Sequence, residues 1–146
     1  ISTRDWSSDV CSSDLSAACQ AIAEIPGIGL LSATAAVATM GDLGSFSSGR
    51  EFAAWLGLVP RQTGTGGRIR QLGISKRGDS YLRTLLIHGA RAVVACRQQS
   101  SWISGLLARR PYGVVVAAVA NKLARILWRV LATGCRYKPT ALSSLA

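Results

Sequence analysis

Glycine and cationic residues crowd one stretch of this chain. From Leu56 to Val94 it reads LGLVPRQTGTGGRIRQLGISKRGDSYLRTLLIHGARAVV, with glycines at 64, 66, 67, 73 and 78. Arg61, Arg68, Arg70, Lys76 and Arg77 are threaded among them, and no acid appears until Asp79. Arg83, Arg91 and Arg97 follow. A glycine lets backbone approach a ligand closely because no Cβ stands in the way. Guanidinium and ammonium groups at this density suit polyanions, above all phosphate. Gly66 and Gly67 with these cations therefore read as a nucleic-acid backbone site. The alternative is a solvated basic loop joining two core helices.

Helices must hold that stretch in place. The fold class expected is all-α: a helix–hairpin–helix start, then a glycine-rich basic loop and two long helices. Ser16 to Ile25 and Leu30 to Met40 are helix candidates on either side of Pro26-Gly27-Ile28-Gly29, with Ala33, Val37 and Met40 at helical spacing. In such a hairpin the amides around Gly27, Ile28 and Gly29 sit at a helix N-terminus and can hold a phosphate. An ordinary tight turn is the other reading. Gly41 to Phe46 is a turn. Gly49 to Leu56 forms a helix capped by Ser47 or Ser48, with Glu51 in a capping box and Phe52, Trp55 and Leu56 on the core face.

The basic loop spans Gly57 to Gly78, although the alternation Arg68-Ile69-Arg70 also fits a short β-ribbon finger. Asp79 caps a helix from Ser80 to Gln98. In it Leu82, Leu85, Leu86, Gly89, Val93 and Cys96 face inward, and Arg83, Arg91 and Arg97 form a basic stripe. His88 lies at the stripe's edge, where a structural role is the commoner one. Ser101 to Arg109 is a short helix bounded by Pro111. The last helix runs from Tyr112 to Thr133, closed by Gly134. Its Lys122, Arg125 and Arg129 share a narrow face, either solvated or a second phosphate strip. Fraying is expected from Cys135 onward, with 141–146 as a tail.

The 146 residues suffice for one domain with a modest core, and 49% are hydrophobic, which excludes a disordered chain. Asp5 to Leu15, DWSSDVCSSDL, resembles a translated sequencing-library adapter, so residues 1–15 are set aside as an expected assembly artefact. What remains has 16 basic and 4 acidic residues, net +12. Cys19, Cys96 and Cys135 then form an odd set without a C-x-x-C pair, read as buried free thiols in a reducing bacterial cytoplasm. Val114 to Ala120 is too short to span a bilayer, so no membrane association is expected. Glu24, Asp42, Glu51 and Asp79 are scattered, unlike a two-metal nuclease cluster. Composition alone reads as a binder, an alternative being a non-catalytic helix–hairpin–helix module.

Several motifs in order carry a resemblance across Ser16 to Pro139: AEIPGIG, LGLVPRQ, TGTGGRIRQLGISKRGDSYLR, LLIHGARAV, and ANKLARILW before RYKP. The chain resembles the C-terminal domain of insertion-sequence transposases of the one-ten family, DEDD-type recombinases related to the Piv invertase. The resemblance makes 16–140 that domain and implies a missing N-terminal RuvC-like domain, which would supply the magnesium-binding carboxylates. No cofactor is expected within the chain itself, and the fragment alone is expected to be inactive. The implied partners are DNA, a structured guide ("bridge") RNA and, at full length, further copies of the protein. The family's domain also supplies a serine nucleophile within a serine–glycine pair of its glycine loop. Here the matching pair is Thr65-Gly66, and no serine lies between Ser48 and Ser75. Thr65 is the nucleophile implied, Ser75 is the alternative, and an inactive copy is the third possibility.

Overall fold

The computed structural model describes residues 17–41, 45–96 and 100–139. The adapter-like segment, Asp42, Arg97 and the last seven residues lie outside them. Among the described residues there are six helices: α1 Ala17–Ala23, α2 Leu30–Met40, α3 Gly49–Trp55, α4 Ser80–Ala95, α5 Ser101–Leu107 and α6 Tyr112–Thr133. Between α3 and α4 the chain forms two antiparallel strands, β1 Pro60–Thr65 and β2 Arg68–Ile74.

The axis of the molecule is α6. Val115, Val119, Leu123 and Leu127 recur every fourth residue and are fully buried, which places one continuous apolar stripe against its neighbours. Helices α1, α3, α4 and α5 all pack on it, while α2 packs on α1 and α4. Burial of each such side chain contributes about 1.5–3 kcal/mol. Pro111 precedes the helix, and Gly134, in the left-handed region at φ 63°, ends it. No helix of the described residues is long and apolar enough to cross a membrane.

Local signals set the other helix ends. The Asp79 carboxylate accepts from the amides of Tyr81 (2.8 Å) and Leu82 (3.1 Å), capping α4. Ser48 Oγ accepts from the Glu51 amide at 3.3 Å. The return arm of that capping box reaches one residue further back, because Glu51 accepts from the amide and hydroxyl of Ser47. These bonds, the hydroxyl's first, hold the Glu51 carboxyl below its ordinary pKa.

The structure corrects several expectations. The glycine-rich loop is a β-hairpin, so the fold is mostly helical rather than all-α. Gly66 and Gly67 both have positive φ (62° and 79°), the requirement of a two-residue type I′ turn, and β-branched Thr63, Thr65 and Ile69 flank them. On α4 the buried positions are Leu82, Leu86, Ala90 and Val94, a stripe of strict i, i+4 spacing. Cys96 has passed the end of that helix and is exposed, as is Cys135, so Cys19 alone of the three thiols is buried. Trp55 is 39% exposed, sitting at the rim of a cluster with Phe46 and Phe52. The chain past Gly134 does not simply fray: Tyr137 packs against the core, and Arg136 reaches Glu24 at 3.8 Å. Burial raises the Tyr137 pKa.

Candidate nucleic-acid interface

The hairpin projects from the helical body. Every residue of β1 is exposed, as is every residue of β2 before Ile74. Cross-strand pairing sets Thr65 opposite Arg68, and Thr63 opposite Arg70. Side chains alternate along a strand, so these four share one face. Gly64 and Ile69 pair on the other face, where Ile69 is 71% exposed. The register shifts between Pro60 and Gln62, so the exposed Arg61 stands at an irregularity where β2 supplies an extra residue. An isolated two-stranded ribbon is marginally stable in water. Here its base is tied down: Ser75 N–H donates to Val59 O (2.8 Å), Lys76 N–H to Gly57 O (3.1 Å), and the Asn121 amide to Leu58 O (3.2 Å).

Two chain crossings anchor that base. At Gly78, φ is 75° and an added Cβ would fall on the Trp55 carbonyl oxygen. At Gly57, φ is 72° and a Cβ would lie within 2.9 Å of the Lys76 carbonyl carbon. The turn 75–79 therefore lies directly on the end of α3. Lys76 itself has φ 56°, in the left-handed region that non-glycine residues seldom enter.

The site residues expected from sequence divide accordingly. Arg61, Gly66, Gly67, Arg68 and Arg70 are carried out on the hairpin, while the exposed side chains of Lys76 and Arg77 leave its base. Arg83 is half-buried, and its Nη1 donates to Leu56 O (3.1 Å) and Arg77 O (2.9 Å). Its guanidinium thus clamps the two crossing turns together. Arg91 is exposed on α4, two helical turns further on. Thr65 lies at the exposed hairpin tip, and Ser75 is half-buried at the base. At ~3.3 Å per residue the two hydroxyls stand roughly 20 Å apart, so they belong to different places.

The α1–α2 turn is more closed than its sequence suggests. The Ile28 side chain is buried, and its amide donates to Ile25 O at 3.0 Å. Gly27, at φ 84°, packs on α4 so closely that a Cβ there would stand 2.6 Å from Gly89 O. Gly29 alone of the three faces open space, at the start of α2.

The three carboxylates among the described residues each have a partner. Asp79 caps α4 and accepts from Thr39 Oγ1 at 3.3 Å, Glu51 caps α3, and Glu24 meets Arg136. Among the described residues no three His, Cys, Asp or Glu come together as a metal site requires. His88 is exposed on α4.

What the sequence reading left open is the environment of the α6 cations. Lys122 lies 4.3 Å from the Trp102 ring centroid, a cation–π contact, and Arg125 is half-buried beside it. Burial, and then the Arg125 charge, lower the Lys122 pKa.

The hairpin thus carries Arg68 and Arg70 on one face of an exposed ribbon above a helical platform. Residues 19–103 match the model of the transposase IS116/IS110/IS902 family, and the chain belongs to that family. A probable family 20 transposase of Pseudomonas aeruginosa is 57% identical over 125 residues, covering 82% of this chain and 37% of the relative. The transposase for insertion sequence element IS1111A of Coxiella burnetii is 44% identical over 118 residues, covering 77% and 32%. The transposase for IS1328 of Yersinia enterocolitica is 44% identical over 120 residues, covering 79% and 36%. The chain thus spans about a third of the length of the relatives it matches.

Proposed function

We propose that this chain is the DNA-engaging part of a transposase, and that it contributes a hydroxyl nucleophile to strand transfer. The observation that carries this reading is the hairpin face that sets Thr65 beside Arg68, with Thr63 and Arg70 next along the ribbon. Exposed arginines on a narrow ribbon suit the phosphate walls of a duplex groove, which is wide enough on its major side to admit two strands. The carbonyl-bound Arg83 holds the ribbon's base rather than the DNA.

Thr65 is the better-placed of the two hydroxyls. It is exposed and faces the same way as two guanidinium groups, whereas Ser75 is half-buried at the hairpin base. In the proposed step Thr65 Oγ1 bonds to a backbone phosphorus and one P–O bond of the DNA breaks. The hydroxyl proton ends on the leaving oxygen. Arg68 and Arg70 would stabilise charge on the phosphoryl oxygens. As the resemblance implies, metal-binding carboxylates from an N-terminal RuvC-like domain complete the site, a structured guide RNA selects the DNA, and the working form is an oligomer. Gly27, Ile28 and Gly29 are the proposed second backbone contact, with Gly29 its accessible member.

The test is a full-length form, extended by the segment its relatives carry beyond this chain, and assayed for a covalent protein–DNA adduct. Thr65→Ala should abolish the adduct, and Ser75→Ala should leave it. An adduct that persists in Thr65→Ala and disappears in Ser75→Ala moves the nucleophile to the hairpin base. Persistence in both removes it from this chain.

A further inference from the structure

A second surface lies under the hairpin. Leu72 at the inner end of β2, Arg91 on α4, Trp102 on α5, and Tyr112 and Lys122 on α6 line an open cleft of about 970 Å³. Its volume is at the top of the ~300–1,000 Å³ range of ligand sites. Its lining has an unusual composition. Arg91, Arg110, Lys122 and Arg125 stand around it, and no Asp or Glu is among the described lining residues. Its apolar groups are left uncovered: Leu72 is 49% exposed and Tyr112 51%.

Aromatic rings beside cations, with no carboxylate among the described lining residues, match one kind of ligand, a chain of flat apolar rings joined by anions. Unpaired nucleotides have that make-up. Their bases stack on aromatic side chains and their phosphates pair with Lys and Arg. An acidic peptide would satisfy the cations but would leave the exposed ring of Tyr112 without a flat partner. A duplex keeps its bases stacked inside and offers no free base face to Tyr112. We infer that this cleft binds a short unpaired segment of nucleic acid, with bases stacked against Tyr112 and phosphates held by Arg91 and Lys122. The inference rests on the proposed function, and it separates two surfaces of the chain. The outer face of the hairpin takes duplex, and the cleft beneath takes a displaced or looped-out strand. An arriving phosphate would also offset the repulsion between Lys122 and Arg125.

The experiment compares three probes on the whole chain: oligothymidylate and oligouridylate of about eight nucleotides, and a DNA duplex. Affinity is read by fluorescence anisotropy, and contacts by photocrosslinking of an iodouridine-bearing strand followed by mass spectrometry. Tyr112→Ala should weaken single-strand binding roughly 5- to 100-fold, as loss of one or two stacked bases does, and leave duplex affinity unchanged. Lys122→Met, which keeps an apolar chain over Trp102, should flatten the salt dependence of single-strand binding by about one phosphate contact. Crosslinks should fall on Trp102 or Tyr112. Unchanged thermal melting in both variants shows that the fold is intact. The inference is overturned if both variants bind the single strand like the parent, if crosslinks map only to 61–70, or if the chain self-associates and no strand competes for the cleft. Duplex binding without single-strand binding removes the cleft assignment and leaves the proposed function standing. Failure to bind either probe removes both.

Discussion

Glycines do opposite work in two regions of this molecule. Gly27, Gly57, Gly78 and Gly89 sit where one segment crosses another, and a Cβ at any of them would meet backbone at less than ordinary van der Waals distance. Gly66 and Gly67 sit at the hairpin tip, where an added Cβ would meet nothing within 4 Å. The first group lets the body close. The second lets a ribbon turn in open solvent. The same residue type thus marks either tight packing or unobstructed access, and the surroundings decide which. The same division holds for arginine: Arg83 is bound to carbonyls inside the frame, whereas Arg68 and Arg70 stand outside it.

The comparison breaks most visibly at the crossings. Gly78→Ala must overpack against the Trp55 carbonyl, at about 1–3 kcal/mol, and hold a left-handed conformation at about 1–2 kcal/mol more. Urea denaturation should show a midpoint well below that of the parent, whereas Gly66→Asn, a residue at home in type I′ turns, should unfold like the parent. Equal effects at the two sites would erase the distinction. Leu127→Ala on α6 should cost about 2–5 kcal/mol, a measure of how much the body depends on its central helix.

Arg83 gives a smaller effect of the same kind. Arg83→Met removes two charge-assisted bonds from a half-exposed guanidinium and should destabilise by about 1–2 kcal/mol. Loss of nucleic-acid affinity in that variant without any loss of stability would move Arg83 from frame to interface. Ser48→Ala removes the α3 cap, and a loss of about 1 kcal/mol is expected.

The smallest effect concerns pH. The Glu51 carboxyl has a depressed pKa in the folded chain. Its contribution is therefore present above its unfolded value and is lost as pH falls through the folded one. Glu51→Gln should melt below the parent near pH 7, and the gap should close as acid protonates the Glu51 carboxylate. A gap that stays constant with pH would mean that the Ser47 bonds are not the cause.

The starts of α3 and α4 and both ends of α6 were legible in the sequence because they depend on near neighbours, whereas α4, expected to run to Gln98, ends at Ala95. Asp79, Ser48 and the Pro111–Gly134 pair each act within a few residues. The hairpin was only partly legible. Gly66-Gly67 between Thr65 and Arg68 is a two-residue turn signal, yet five glycines among cations read equally well as a loop. The choice rests on strand pairing, which is not local. The α4 face was misjudged at Cys96 because Ala90 carries little apolar signal, although it occupies a fully buried position. Arg83 was grouped with Arg91 by periodicity alone. Only the crossing of α3 with the turn 75–79 shows Arg83 bonded to two carbonyls while Arg91 stands exposed. The cleft was invisible for a similar reason, since its lining comes from strand and helix segments that are distant in sequence.

The central claim is that the exposed face of the hairpin grips the nucleic-acid backbone. The direct measurement is duplex affinity across a series of salt concentrations, for the chain and for an Arg68→Ala/Arg70→Ala variant. Loss of two phosphate contacts should lower the magnitude of the slope of log K against log salt by about 1.8 and weaken binding at low salt, with thermal melting unchanged. An identical slope and affinity in a folded variant would contradict the claim.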